Sequence, residues 1–591
     1  MEAAESTSSG LKLNSDKCVA WSFSISAADR ASWSSSSLVS RFFSLAPSSD
    51  VCFPPCEKGI KLLGSYIGPS SFVKETLSSA VQTHTPVVAD RLMLLDSLQM
   101  RILLLRHCAD KKFSTLWRTV PPSLSHDAAC LFDDLISGAL RRCQDFGFIP
   151  GPDAARLQYD HWRSIIRLPL RLGGMALGSS SMVAPLAYVG SLADASRLIL
   201  SSPMFSAIQP AFHEWLNPSV SSNSLPCEAR EVLNSFHRDI QHHRGFPGQS
   251  SFANDVLSDS TLLPVVPSHL PTAQRKLQQR LCTLSFEMTD NALRGSVSRE
   301  LRAQLLSQRC PVARGLMSAI PSCPELTAPN DVFGTFLFHY QCMHLIGDPQ
   351  ICCSCSSSSL RSSEAEPFRA EPAKHASSCC IGDAFTVRHH QGCMGVKAVL
   401  DWIPNVITHP RFSVNVPEEN PDFDCYNLER GKHGFVEYSV VDHLQDAHVN
   451  ISASTAGHAA EARDTTKRAK YGPLCLSSGR VLYTASQEAS GRVSAGYSKL
   501  IELAVTRHNR ADFDAIAPTR TWASDSLRAY LQQVIALNFW SGVVAAELGR
   551  VRVNESNEQS WVGSSLSRPA ELPFSCVNPR RWLPDCDSTA P

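Results

Sequence analysis

The sequence predicts an α+β protein of several domains, mostly helical over its first two thirds and ending in a small α/β domain. A chain of 591 residues is too long for a single core, and roughly two to four domains are expected. Apolar residues recur three or four positions apart between about residue 75 and residue 300, which indicates amphipathic helices. Residues 396–510 instead show the pattern of strands followed by helix.

The composition is that of a folded protein without strong overall charge. Hydrophobic residues make up 43%, charged residues 19%, and the formal net charge is +0, so nucleic-acid contact requires local basic patches. The N-terminus lacks the basic and apolar regions of a signal peptide. The most apolar long stretch, residues 91–107, is interrupted by Asp96 and Arg101. We therefore expect an intracellular protein that does not enter a membrane.

Local signals predict individual turns and helix ends. Gly173 and Gly174 interrupt a helical pattern, which predicts a turn. The last helix is expected over residues 524–540, "SDSLRAYLQQVIALNFW", with Ser524 or Asp525 as its N-cap. The polar, Pro-rich residues that follow are expected to form a mobile tail.

Many of the 21 cysteines cluster between residues 310 and 393. Such crowding favours metal ligation over a secreted disulfide framework. Cys352-x2-Cys355 followed by His375-x4-Cys380 offers four ligands on two short segments, as a tetrahedral Zn²⁺ site requires. The alternative is a cysteine-rich loop without metal.

Neighbouring residues leave the zinc ligand set open. Cys353 and Cys379 adjoin the motif and compete with it as thiolate donors. His389 and His390 in "VRHHQG" are further candidates. The alternative for these histidines is that they begin the next helix, or contact a phosphate together with Arg388.

Residues 420–444, "NPDFDCYNLERGKHGFVEYSVVDHL", predict a β-hairpin that carries acids where apolar residues would pack better. Because side chains alternate along a strand, the turn brings Asp422 across from Glu437. Two converging carboxylates form a hard-oxygen site for Mg²⁺, with Asp424 as a spare ligand. A bound Mg²⁺ lowers the pKa of a water and stabilises charge on a scissile phosphate.

A basic helix is predicted after the hairpin. In "HAAEARDTTKRAKYG", Arg463, Lys467 and Lys470 recur at spacings of four and three, so they share one helical face beside Tyr471. Strand carboxylates followed by a basic helical face suit phosphodiester cleavage. The alternative is that the hairpin and the helix only expose charge to solvent.

Several of these stretches together resemble the C-terminal part of polyproteins from non-LTR retrotransposons that carry a restriction-like endonuclease. In that family a Pro-Asp pair precedes an acid in a "V-x-V-V" strand and then a "K-R-x-K-Y" helix. The matching positions are Pro421-Asp422, Glu437 in "VEYSVV", and residues 467–471. A zinc knuckle precedes the endonuclease in these elements, and the Cys352 to Cys380 motif stands in that place.

The upstream half is similar to the same family. Residues 10–21 and 59–68 resemble the end of a reverse transcriptase palm, including its closing strand and turn, and residues 168–179 resemble the thumb and linker. The resemblance implies five segments in order: a palm remnant (1–70), a helical thumb and linker (71–330), a zinc-knuckle region (331–395), a restriction-like endonuclease (396–510), and a C-terminal helix with a mobile tail (511–591). It also implies Mg²⁺ in the endonuclease, structural Zn²⁺, a DNA target, element RNA as a partner, and a nuclear location.

The resemblance implies roles for four residues, and the chain departs from the family pattern at two points. It implies that Asp422 and Glu437 hold Mg²⁺, that Lys470 orients water or stabilises the phosphate, and that Tyr471 supports the active face. The polymerase aspartates are missing, because the chain begins after their place, so no reverse transcription is expected. The restriction-like fold often has a lysine two residues after its strand acid, where this chain has Ser439.

The sequence therefore leads to one function and two alternatives. We expect a fragment of a retrotransposon-encoded reverse transcriptase/endonuclease that retains Mg²⁺-dependent DNA nicking. The first alternative is a decayed fragment without catalytic activity. The second is a nucleic-acid-binding module in which Arg163, Arg167 and Arg171 contact phosphates, so that affinity falls with rising salt.

Overall fold

The computed structural model describes residues 59–62, 64–144, 156–206, 277–346, 350–353, 369–372, 384–410, 421–429, 431–508 and 526–558, with isolated positions between 209 and 239. These residues are mostly helical and include a small mixed sheet, which agrees with an α+β layout. No helix among them is both long and apolar enough to cross a membrane. The chain divides into two compact units, namely 1–89, 109–136 and 178–285, and 90–108, 137–177 and 286–591.

A short antiparallel hairpin stands first among the described residues. Strands β1 (Ile60–Leu62) and β2 (Ser65–Ile67) pair on either side of Gly64, whose φ of 87° suits a residue without a Cβ atom. This agrees with the strand and turn expected at residues 59–68. The rest of the expected palm remnant, residues 1–58, lies outside the described part of the chain.

Helices dominate up to residue 340, as the spacing of apolar residues predicts. In chain order they are α1 (Ser70–Met93), α2 (Leu98–Leu104), α3 (Ser114–Thr119), α4 (Pro122–Cys143), α5 (Arg156–Arg167), α6 (Ser180–Ser201), α7 (Leu277–Ser296), α8 (Arg299–Gln308), α9 (Gly315–Ser318) and α10 (Asn330–Tyr340). Serines cap two of them: Ser97 accepts from the N–H of Met100, and Ser298 accepts from the N–H of Leu301.

Two turns show how polar and glycine residues set the helix ends. Within the first unit, the buried carboxylate of Asp133 accepts from the N–H groups of Ser180 and Ser181, which satisfies free donors at the start of α6. Within the second unit, the predicted turn after α5 is present, with Gly173 in the left-handed region at φ 85°.

The second unit contains the sheet. Strands β3 (Gln350–Cys353) and β4 (Arg369–Pro372) form a separate antiparallel pair. The mixed sheet has the order β5-β6-β7-β8, in which β7 and β8 are parallel and the other neighbours are antiparallel. Its strands are β5 (Ile407–Pro410), β6 (Phe423–Glu429), β7 (Lys432–Val441) and β8 (Val481–Glu488). The predicted acidic hairpin is the β6–β7 pair.

Helices cover both faces of this sheet. They are α11 (Ala384–Leu400), α13 (His458–Ser477), α14 (Ala495–Arg507) and α15 (Leu527–Glu558), while the short helix α12 (Asp446–Ser452) packs on α8 and α13. The predicted basic helix is α13, which connects the parallel strands β7 and β8, and α14 follows β8 directly. A connection between parallel strands needs a crossover of this kind.

The apolar core lies on one face of the sheet. Val436 and Tyr438 of β7 belong to a buried cluster with Val396 of α11, Leu500 of α14 and Leu531 of α15. The core of the predicted 396–510 domain is therefore completed by α11, which begins before residue 396, and by α15, which lies after residue 510. A sheet of four short strands buries its apolar face when such helices pack on it.

The last helix differs in detail from its prediction. It runs to Glu558 rather than ending near Trp540, and its first turn is capped by Ser526, whose Oγ accepts from the N–H of Ala529 at 3.3 Å. Ser524 and Asp525, the predicted caps, lie outside the described residues, as does the expected tail after residue 558.

Candidate metal-dependent active site

The register of the β6–β7 hairpin places two predicted acids opposite each other. Phe423 lies opposite Val436 in the antiparallel ladder, so the next position outward pairs Asp422 with Glu437. Glu437 is only 4% exposed, and Asp422, at the end of the hairpin, is partly buried. The predicted juxtaposition of the two carboxylates is present in the fold.

Strand β7 extends past the start of β6, and side chains bond to its backbone there. The N–H of Tyr438 donates to Asp422 Oδ2 at 2.7 Å. His389 Nε2 lies 3.2 Å from the carbonyl oxygen of Tyr438 and 3.5 Å from Asp422 Oδ2. Charge-assisted bonds of this kind hold the Asp422 carboxylate in one orientation at the open end of the hairpin.

His389 comes to the acidic pair from helix α11, in which it occupies the second turn. The sequence associates this histidine with the zinc motif or a helix start, and it does not predict the contact with Asp422. Cys393 lies one helical turn later, with its Sγ 3.7 Å from His389 Nδ1. Ligand atoms of His389, Cys393 and Asp422 all lie within 4.8 Å of one another. The spacing of four between His389 and Cys393 is a signal that the sequence already contains.

The charges at the site shift the ionisation of the two α11 residues. Burial raises the pKa of the Cys393 thiol well above its ordinary value, and the negative charges of Asp422 and Glu437 raise it further. Burial alone would lower the pKa of His389, but the hydrogen bond and charge of Asp422 outweigh it, and the pKa is raised.

Glu437 is the most perturbed acid of the site. Burial raises its pKa to about 7, the negative charge of Asp422 contributes in the same direction, and the positive charge of Lys467 opposes them. Its Oε1 is paired with Lys467 Nζ, while its buried Oε2 has no hydrogen-bond partner among the described residues. A strongly shifted carboxyl beside a second acid is typical of a functional site.

The cation at this site is Lys467, where the sequence favoured Lys470. Lys467 Nζ forms an ion pair with Glu437, and its side chain is 15% exposed. Lys470 is exposed and has its Nζ 5.0 Å from the ring centroid of Tyr471, which also lies 5.6 Å from Lys467 Nζ. Tyr471 is buried and supports both lysines, and Arg463 lies one turn before Lys467 on α13.

The spare acid predicted at Asp424 has a partner of its own. Asp424 Oδ1 accepts from Arg480 Nη1 at 2.9 Å, and the guanidinium lies 4.5 Å from the ring centroid of Phe435. Asp424 therefore pairs with a cation through one of its oxygens, and its role as a spare metal ligand stays a prediction. Ser439, which stands where the restriction-like fold often has lysine, is buried with its Oγ 2.8 Å from that of Ser486.

Most of the predicted zinc site lies outside the residues that the structure describes. Cys352 belongs to strand β3, while Cys355, His375 and Cys380 lie outside the described residues, so the zinc site stays a prediction.

The three arginines of the binding-module alternative lie on α5 and the following turn. Arg163 lies 5.5 Å from the ring centroid of Tyr159, Arg167 ends α5, and Arg171 lies 3.4 Å from Glu287. The Arg171 pair is a surface contact, so the phosphate-binding role of the three arginines stays a prediction.

The residues at the hairpin mouth suit a divalent cation. Asp422 and Glu437 bring two carboxylates against the single positive charge of Lys467, and the unpartnered Glu437 Oε2 is an oxygen donor of the kind that Mg²⁺ and Mn²⁺ accept. A divalent ion held here would balance the negative charges of the two carboxylates.

No protein-family profile and no curated protein sequence matches this chain. The function proposed for it rests on its residues, on their geometry and on the resemblance described from the sequence.

Proposed function

We propose that this chain is a metal-dependent DNA endonuclease that nicks one strand of its target. The observation that carries the proposal is the convergence of Asp422, Glu437 and Lys467 at one end of the β6–β7 hairpin. Two acids on adjacent strands and a lysine from the covering helix are the groups that metal-assisted phosphodiester cleavage requires. The resemblance to restriction-like endonucleases of non-LTR retrotransposons supports the same chemistry.

Each residue has a defined part in the proposed reaction. Asp422 and Glu437 hold the divalent ion, which when bound lowers the pKa of water and stabilises charge on the phosphate. The bond from the Tyr438 N–H keeps Asp422 oriented. Lys467, steadied by the ring of Tyr471, offers a positive charge to a phosphate oxygen.

The resemblance supplies the remaining parts of the proposal. The substrate is a DNA target site, the RNA of the element is a partner, and the compartment is the nucleus. The zinc knuckle is a structural module.

The test is nicking of supercoiled plasmid by the full chain in Mg²⁺ or Mn²⁺. Asp422→Ala is expected to reduce nicking at least about 100-fold, since a missing ligand weakens both metal binding and phosphate stabilisation. Asp446→Ala is the matched control, because Asp446 is an exposed acid on α12, and it is expected to nick like the original chain. Circular dichroism is used to check that both variants fold.

Two outcomes would contradict the proposal. Equal nicking by the original chain and Asp422→Ala would show that the activity comes from elsewhere. Salt-dependent DNA binding without any nicking would favour the binding-module alternative.

A further inference from the structure

Helix α13 presents a row of residues to the sheet, and two of them are charged. The row follows spacings of four and three and consists of Ala460, Asp464, Lys467 and Tyr471. These side chains therefore share one side of the helix. Lys467 reaches Glu437 of β7. Asp464 is completely buried and has no role in the reaction proposed above.

Asp464 binds the backbone of the outermost strand of the sheet. Strand β8 has β7 on one side only, so groups other than strands satisfy its second side. The N–H of Ser486 in β8 donates to Asp464 Oδ1 at 3.2 Å, and the carbonyl oxygen of Ser486 accepts from the N–H of Ser494 at 2.8 Å. A bond between a carboxylate and a backbone N–H is charge-assisted, so it fixes α13 against β8 strongly.

The surroundings leave the Asp464 carboxylate little room to move. Its Oδ2 accepts from Arg468 Nη2, one turn later on α13, at 3.3 Å. Helix α14 begins so close that a Cβ atom on Gly496 would stand 2.6 Å from Asp464 Oδ2 and 2.2 Å from the carbonyl oxygen of Thr484. Because the packing is this close, the carboxylate holds α13, α14 and β8 in one arrangement.

The two charged contacts of α13 lie close together on both the helix and the sheet. Asp464 and Lys467 are three residues apart, which is about 4.5 Å along a helix axis. Thr484 lies opposite Glu437 in the β7–β8 ladder, and Ser486 is two residues further along β8, about 7 Å away. The contact of Asp464 therefore fixes the position from which Lys467 reaches Glu437.

We propose that Asp464 is a positioning residue of the active site: its bond to β8 holds α13 in the place that brings Lys467 to Glu437. The proposal rests on the function proposed above for Lys467. It explains why a completely buried side chain on this helix is an acid, since an apolar side chain would leave the N–H of Ser486 without this acceptor.

The first test follows the amine of Lys467 and does not require cleavage. The full chain is treated with a low concentration of sulfosuccinimidyl acetate, and mass spectrometry gives the acetylation rate of each lysine. Asp464→Ala is expected to raise the rate at Lys467 at least about 10-fold, because loss of a buried hydrogen bond lets the ion pair open more often. Asp464→Asn keeps an oxygen for the N–H of Ser486 and should raise the rate less than about 3-fold.

Two controls separate positioning from a general loss of structure. Lys397, which is partly buried in an ion pair on α11, should keep its rate in every variant. Glu461→Ala removes an exposed acid of α13 that accepts from the N–H of Ala495 on α14, and it should change the Lys467 rate less than about 3-fold. If Asp464→Ala does not fold, Asp464→Ser takes its place.

Three results of the acetylation test would overturn the proposal. They are an unchanged Lys467 rate in the folded Asp464 variant, equal increases at Lys467 and Lys397, and an equal increase at Lys467 in Glu461→Ala.

Nicking kinetics provide a second test, which separates this proposal from the endonuclease. Asp464→Ala is expected to reduce nicking about 10-fold in the original chain but less than about 2-fold in Lys467→Met, because residues that act through one contact are not additive. Equal losses in both backgrounds would reject the positioning role. A chain that shows the expected Lys467 rates without any nicking would keep that role and reject the endonuclease.

Discussion

The two faces of strand β7 are both buried but differ in chemistry. On one face, Val436 and Tyr438 pack into an apolar cluster under α11, α14 and α15. On the other, Glu437 and Ser439 lie among polar groups of β8 and α13. The alternation of side chains along a strand produces this division from consecutive residues.

The difference indicates that the apolar face of β7 stabilises the unit and that the polar face carries the chemistry. The polar layer is partly satisfied, since Asp464 of α13 accepts from the N–H of Ser486 at 3.2 Å. Yet Glu437 Oε2, Thr484 Oγ1 and Glu488 Oε1 have no partner among the described residues. Unsatisfied buried polar atoms destabilise a fold, so a layer that keeps several of them indicates function. The apolar layer provides the compensating stability.

The first prediction tests whether the polar face of β7 contributes to activity or only to stability. Lys467→Met is expected to reduce plasmid nicking about 100-fold, because it removes the cation beside Glu437. Lys470→Met, three residues later on an exposed position, is the control and should lose less than about 3-fold, since surface charges contribute little. Nicking kinetics are measured alongside urea unfolding of all three proteins.

The opposite result would return the catalytic role to Lys470. Equal loss by both variants, or loss by Lys470→Met alone, would mean that α13 moves when DNA binds.

A glycine-to-alanine substitution on each of the helices α11 and α13 tests how tightly the two faces of β7 are packed. Gly392→Ala on α11 places a Cβ against the ring of Tyr438 and is expected to destabilise the unit by about 1–3 kcal/mol. Gly472→Ala on α13 meets no atom within 4 Å outside its chain neighbours, but it precedes Pro473, whose ring disfavours a helical residue with a Cβ before it, so its gain in helix propensity is offset and the expected change is smaller than about 1 kcal/mol. Urea unfolding measures both. A stabilising Gly392→Ala would show that α11 does not pack tightly on β7.

Buried polar groups also lie outside β7, and one of them, His344, should make the fold sensitive to acid. His344 is buried beside His339 at 4.5 Å between ring centroids, and burial lowers its pKa well below the usual value, with His339 and His443 adding to the effect. The unfolded chain therefore takes up a proton near pH 6.5 that the folded chain refuses. This contribution to stability is complete above that pH and is lost as the pH falls.

The expected measurement is the pH slope of the unfolding free energy. Between neutral pH and about pH 5, His344→Phe should show a slope shallower by up to about 1.4 kcal/mol per pH unit, because one proton is no longer taken up on unfolding. His433→Phe, at an exposed position of β7, should leave the slope unchanged. An identical slope in His344→Phe would mean that this histidine is hydrated in the folded state.

Much of the fold followed from local patterns. The helices before residue 340, the Gly173 turn and the β6–β7 hairpin depend on propensity, on spacing and on turn residues that lie close together in sequence. The opposition of Asp422 and Glu437 belongs to this class, because a hairpin register is set by its own turn and its own alternation. These features were therefore accessible to sequence reasoning.

The remaining features of the site required the packed structure. Lys467 and Lys470 share one helical face by spacing, and only the position of α13 over β7 decides that Lys467 reaches Glu437. The pairing of Asp424 with Arg480 and the approach of His389 to Asp422 join segments far apart in the chain.

The sequence by itself therefore determined which acids stand together, because that depends on a local hairpin. The tertiary structure decided which cation and which histidine join them, because the packing of helices on a sheet depends on the whole core. The same holds for α15, whose Leu531 completes the apolar face of β7 from residues well beyond the predicted domain.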